Sequence, residues 1–153
     1  MTDLRTTPVP HTDDVRRMVD RWYQALDEHI PVADVLPFLV DAGLEFHLPE
    51  GVKHGHAGFS EWYEAVTHRF FDEVHAVSSV RLRPDPGSPG ATVDVVVNWQ
   101  ARIWDPPAAH STWLGFDAFQ TWRVIPSAGG PEGVRITRYV VDELRPMPGS
   151  PSL

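Results

Sequence analysis

The sequence predicts an α+β domain, with three helices in its first half packed on one face of a sheet built mostly by its second half. Three observations lead there. Apolar residues recur at helical spacing from Val15 to Leu26 and from Phe59 to Phe70. Beyond Val74 the spacing changes to period two in four successive runs. Short turns join those runs, so neighbouring strands should pair antiparallel.

Thr12-Asp13-Asp14 opens the first helix, with two acids near the positive end of its dipole. Its stripe is Val15, Met18, Val19, Trp22, Tyr23 and Leu26. A shorter second helix spans Pro31 to Val40, limited by Pro37, and Gly43 closes the segment. Leu44 to Leu48 alternates as a short strand, and Pro49 to His56 reads as a loop. The third helix runs from Gly58 to Asp72 on Phe59, Trp62, Tyr63, Val66 and Phe70. Four strands follow: Val74–Leu82, Thr92–Trp104, Thr112–Ile125 and Val134–Leu144. The turns at residues 83–90 and 126–131 and the break at Asp105-Pro106-Pro107 separate them. Residues 1–11 and 145–153 read as loose ends, which leaves one domain over residues 12–144.

Composition narrows the function classes. At 153 residues the chain suits a single domain, and 42% hydrophobic with 22% charged residues is a globular balance. The absence of cysteine excludes disulfides, thiolate nucleophiles and Cys-based metal sites. A net charge of −8 argues against nucleic acid or an anionic membrane as the main partner. No apolar run approaches the ~18 residues of a membrane span. Met1-Thr2-Asp3-Leu4-Arg5 lacks the apolar stretch of a signal peptide, so the expected location is cytoplasmic.

Strand parity assigns the faces. In the long second strand, Val93, Val95, Val97, Trp99, Ala101 and Ile103 form a wholly apolar set that must face the helices. In the next, Leu114, Phe116, Ala118, Gln120, Trp122 and Val124 face inward, with Gln120 as the one polar member. Val74, Ala76, Ser78, Val80 and Leu82 read as inward, which sends His75 outward; His47 is likewise outward beside inward Phe46. The last strand admits either Val134, Ile136, Arg138, Val140 and Asp142 or Arg135, Thr137, Tyr139, Val141 and Glu143. Val96, Trp104, Trp113 and Phe119, with Tyr139 or Val141, would lie exposed on the outer face, and a patch of that size predicts a homodimer through it.

The order of elements resembles the nuclear transport factor 2-like fold and, more narrowly, the SnoaL-like group of cone-shaped α+β proteins. The motifs that carry the resemblance are Arg21-Trp22-Tyr23-Gln24-Ala25-Leu26-Asp27, Leu44-Glu45-Phe46-His47-Leu48-Pro49 and Gly55-His56-Ala57-Gly58-Phe59-Ser60-Glu61-Trp62-Tyr63. The resemblance covers about residues 12–144 and implies a curved sheet that encloses a pocket with the helices. Such proteins include ketosteroid isomerases, polyketide cyclases, scytalone dehydratases, limonene epoxide hydrolases and non-catalytic binding or assembly domains. The ketosteroid isomerase tyrosine falls on Trp22 or Tyr23, its general base on Leu48, which cannot take a proton, and its second acid near Gln120. Asp142 resembles the last-strand aspartate of limonene epoxide hydrolase, with Arg138 nearby, but no Arg-x-Asp on an earlier strand completes the set. The resemblance offers His75 and His110 as counterparts of the scytalone dehydratase histidines, against the outward parity of the first and the loop position of the second.

Gln120 is the most informative residue, because an unpaired inward amide costs ~1–3 kcal/mol and so needs a partner: a ligand, a backbone group or Tyr23. Asp142 and Arg138 form a pair beside the pocket if their face is inward and a weak surface pair if it is outward. His47 and His75 become candidate bases if a bulge flips parity. His54-x-His56 without a third ligand is no metal site. Trp22, Tyr23, Phe59, Trp62, Tyr63, Trp99 and Trp122 converge inside and suit a flat apolar ligand, and the expected substrate contacts are Trp22, Phe46, Trp62, Tyr63, Trp99, Phe116, Trp122 and Arg138. The sequence holds no G-x-S-x-G, P-loop, G-x-G-x-x-G or H-E-x-x-H motif.

The expectation is a cofactor-free cyclase, dehydratase, isomerase or epoxide hydrolase acting on a hydrophobic small molecule. Asp142, His47 or His75 would move the proton while Gln120 and Tyr23 hold the oxygen that gains charge. The alternative is a non-catalytic binding or assembly domain. A cavity holding titratable groups favours the first, and a filled core the second.

Overall fold

The computed structural model describes residues 10–153. Most of the loose segment expected at 1–11 therefore lies outside the described residues. Helix α1 spans Thr12–Asp27 and buries the whole expected stripe. The second helix is shorter than its apolar run suggests: α2 covers Val32–Val35 and tightens into one 3₁₀ turn at Leu36–Phe38. Pro37 lies in that turn and has no N–H with which to extend an α-helical ladder.

Strand β1, Glu45–Leu48, is followed at once by β2, Gly51–His54, where a loop was expected. The two pair antiparallel, Leu48 opposite Gly51, and the glycine takes φ +138°, a conformation that side chains resist. Because β2 ends at His54, α3 begins earlier than its stripe suggested and spans Gly55–Arg69. Strands β3 (Phe71–Pro84), β4 (Ala91–Ile103), β5 (Thr112–Pro126) and β6 (Val134–Pro146) form the meander.

Among the described residues the six-stranded sheet has the order β2-β1-β6-β5-β4-β3, and β1–β6 is its one parallel strand pairing. Helices and curved sheet together make the α+β cone expected from the sequence. The C-terminal segment is not loose over residues 145–150. β6 continues to Pro146, Met147 N–H donates to Gly115 O, and Gly115 N–H donates to Ser150 Oγ.

Bulges correct the parity of two strands. Register shifts at Phe71/Val74 and Val77/Ser79 leave Val74 59% exposed and turn Glu73, His75 and Val77 toward the interior, after which Val80 and Leu82 face inward. Asp72 adopts φ +51° in the first of these irregularities. On β6, shifts beside Thr137 and Asp142 place Val134, Ile136, Tyr139, Val141 and Leu144 inside, a mixture of the two sets read from alternation. Tyr139 and Val141 are thus lost to the outer patch. Trp104 stays 51% exposed there, while Phe119 lies under the Arg145 guanidinium, 4.6 Å from its ring centre.

Candidate active site

The core is solid near α1 and hollow beside α3. Trp22 packs edge-on or tilted against Phe38, Phe46, Phe59, Trp122 and Tyr139, with ring centres 5.6–6.2 Å apart. Further along β4 and β5 the facing inward residues are Val97 and Ala118, directly opposite one another. Those small side chains do not fill the space below α3. A cavity of about 340 Å³ remains, partly open to solvent, lined by Leu26, Leu48, Trp62, Val66, Phe70, Val97, Trp99, Ala118, Val141 and Leu144. Its polar lining includes Glu73, His75, Gln120 and Tyr139, with Glu50 and Arg69 as exposed members.

His75 is the central group. Its Nδ1 lies 2.6 Å from Asp27 Oδ1, and its backbone N–H donates to Asp27 Oδ2 at 3.0 Å. The side chains are 11% and 23% exposed. The carboxylate therefore holds the ring by two bonds, fixes the proton on Nδ1 when the ring is neutral, and leaves Nε2 with a free lone pair. Nε2 has no hydrogen-bond partner among the described residues. Tyr23 stacks on the imidazole at 4.6 Å, and Trp99 lies parallel to it at 6.1 Å. His75 and Asp27 also border a second cleft with Asp20, Gln24 and Glu28, which gives the pair a path to water.

Gln120 is 6% exposed, and its bonds fix which way the amide faces. Trp122 Nε1 can only donate, so the atom 2.8 Å away must be the carbonyl oxygen. Tyr23 Oη donates to the same oxygen at 2.9 Å and stands 3.2 Å from Tyr139 Oη, which then donates to it. The chain Tyr139–Tyr23–Gln120–Trp122 saturates the carbonyl. The Gln120 NH₂ has no hydrogen-bond partner among the described residues, and Gln120 lines the cavity. Burial pushes the Tyr23 hydroxyl well above the usual tyrosine range, helped by Tyr139, and burial also raises Tyr139. Both remain neutral donors and neither serves as a base near neutral pH.

The other expected residues fall into three groups. Trp62 and Trp99 line the cavity as expected. Trp22, Phe46 and Trp122 belong to the solid cluster, Phe116 stacks behind Trp99, and Tyr63 donates to Ile30 O at 2.6 Å; these five support the wall from behind. Asp142, Arg138 and His47 are outside. Asp142 is exposed at a β6 bulge and accepts from Thr121 Oγ1 at 2.6 Å. Arg138 reaches Glu45 at 3.6 Å on the outer face, and His47 bonds Glu45 at 2.8 Å. The inward reading of the Asp142–Arg138 pair is thereby overturned, and so is the outward reading of His75.

Two residues were missed. Asp27 ends α1, where a carboxylate faces the negative end of the helix dipole; an acid in so unfavourable a place was a signal that something else holds it. Glu73 falls between the helix expected to end at Asp72 and the strand expected to begin at Val74; α3 in fact ends at Arg69 and β3 begins at Phe71, so Glu73 lies on the strand.

No family model matches the chain, and no curated protein matches it in sequence. Solved structures do match. One is a nuclear transport factor 2-like superfamily protein from Salmonella enterica, at TM-score 0.69 and 13% identity over 93% of this chain and 92% of that one. Another is a hexachlorocyclohexane dehydrochlorinase from Novosphingobium barchaimii, at 0.70 and 12% over 92% of each chain. A third is a provisionally named scytalone dehydratase from Novosphingobium aromaticivorans, at 0.66 and 18% over 88% and 83%. The fold is the nuclear transport factor 2-like cone.

Proposed function

We propose that this chain is a cofactor-free enzyme that removes a carbon-bound proton from a hydrophobic, ring-sized molecule and expels a leaving group. The observation that carries the reading is His75, clamped through Nδ1 by Asp27 with Nε2 free beside an apolar cavity. Nε2 takes the proton, the C–H electron pair becomes the double bond, and the leaving group departs with its bonding pair. Where that group is hydroxide, the imidazolium returns the proton and water leaves. Asp27 stabilises the imidazolium meanwhile, and the Gln120 NH₂ donates to an oxygen that gains charge. Tyr23 acts as a positioning residue, packing on His75 and bonding Gln120. Two proteins of the same fold carry names that denote eliminations, of hydrogen chloride and of water, which supports this choice among proton-transfer reactions.

A cavity with several titratable groups favours an enzyme over a purely structural module. The test is conversion of 3-hydroxycyclohexanone to cyclohexenone, followed by NMR. Wild type should accelerate it and His75→Asn should not; equal rates with both would refute the assignment. We also propose a homodimer through the outer face around Trp104 and a cytoplasmic location. No described helix is long and apolar enough to cross a membrane. A monomer mass by light scattering at micromolar concentration would remove the dimer.

A further inference from the structure

Glu73 is a carboxylate in the cavity wall for which the reaction above has no use. Its side chain is 9% exposed. Oε1 accepts from Trp99 Nε1 at 2.9 Å, and Oε2 is bonded to His29 Nε2. Two anchors on separate elements thus hold a buried carboxyl group at one place. A carboxylate costs free energy in an apolar wall unless it is paired, and each of its oxygens can accept more than one bond. Glu73 and His75 occupy the same face of β3, one alternation apart, which sets them about 7 Å from one another along the strand. Val66 and Phe70 in the same lining carry no side-chain donor, and the hydrogen-bond partners of the carboxylate are Trp99 and His29 alone among the described residues; Trp62 Nε1, also in the lining, is buried without a partner.

We propose that Glu73 is a specificity-determining residue that accepts a hydrogen bond from a hydroxyl on the substrate. The substrate class is then a hydroxylated ring compound, in contrast to a fully halogenated one. The inference rests on the reading of this cavity as the reaction site. A ring with its acidic C–H at His75 Nε2 and its carbonyl at the Gln120 NH₂ would present a hydroxyl to Glu73 within the same cavity. A halogen or methyl group there would strip water from the carboxylate and return no bond, so the wall discriminates by what it leaves unpaired.

The test is binding alone, in a His75→Asn background so that nothing is consumed. Dissociation constants for 3-hydroxycyclohexanone and its near-isostere 3-methylcyclohexanone are measured by NMR titration. The hydroxyl compound should bind about tenfold more tightly, against its greater solubility in water. Glu73→Leu should abolish that preference while methyl-compound affinity holds or rises. Glu73→Gln keeps the shape and one acceptor, loses the charge, and should give an intermediate ratio; it decides the matter if the leucine variant fails to fold. Equal affinity for the two compounds without the Glu73 change, or a ratio unmoved by both substitutions, overturns the proposal. Neither result bears on His75, whose role is read from turnover, and a preference found in a protein without turnover leaves Glu73 standing while the elimination falls.

Discussion

Two histidine–carboxylate pairs sit on opposite faces of the same sheet. Inside, His75 meets Asp27 at 2.6 Å; outside, His47 meets Glu45 at 2.8 Å. The functional groups are the same and the distances nearly so. Their surroundings differ: the His75 side chain is 11% exposed between Tyr23 and Trp99, while Glu45 is 45% exposed and shares its charge with Arg138. Water screens the outer pair and supplies either partner with other hydrogen bonds, so its geometry has few consequences. The inner pair has an aromatic clamp, an Nδ1 held by Asp27 and a ring that lines the cavity. On the proposed reading, reactivity follows from the side of the sheet on which the pair stands.

The largest expected effect separates the two pairs directly. His75→Asn should lower kcat/KM for proton removal by about 10²–10⁴-fold, the usual weight of a general base, and His47→Asn by less than about threefold. Comparable losses in both would erase the distinction.

The interior itself contrasts a solid end with a hollow one. Trp22→Ala at the solid end should cost about 3–5 kcal/mol in denaturant unfolding. Ala118→Leu at the hollow end should change stability by only about 1 kcal/mol, since it fills existing space, and yet abolish ligand binding. A large loss of stability there would mean the space is not real. Gln120→Leu strands the donors of Tyr23 and Trp122 and should cost about 1–3 kcal/mol.

The smallest effects are those of pH. Tyr23, Tyr139 and Tyr63 all titrate above their ordinary value of 10.0, Tyr63 at about 12 through burial and the charge of Glu73. Above pH 10 the unfolded chain gives up these protons while the folded one keeps them. Stability is therefore complete below pH 10 and falls as pH rises through the folded values. Glu45 runs the other way. The His47 hydrogen bond lowers it from 4.5, against desolvation and with lesser help from the Arg138 charge, so its contribution exists above that value and fades as pH falls. Being exposed, it should give an acid-side change far smaller than the alkaline one in thermal unfolding followed by circular dichroism.

Much of this was legible in the chain. The α1 stripe, the inward apolar set of β4 and the lone amide at Gln120 follow from periodicity alone, because β4 runs in unbroken register against β5. The misreadings gather where register breaks. On β3 and β6 a single extra residue reverses every later side chain, and nothing in the local pattern around Val77-Ser78-Ser79 or Val141-Asp142 marks it. His75 was misplaced for that reason, and the Asp142–Arg138 pair gained a false appeal for the same one. Asp27 was overlooked because its partner lies 48 residues away, a separation that periodicity does not sense.

The central claim is that His75 Nε2 is a base aimed at whatever occupies the cavity. Exchange of the α-protons of cyclohexanone for deuterium, followed by NMR in heavy water, tests it without requiring a leaving group. Wild type should accelerate the exchange, with saturation as ketone is added, and His75→Asn should return it to the buffer rate. Exchange that persists in His75→Asn, or that wild type never accelerates, would contradict the account.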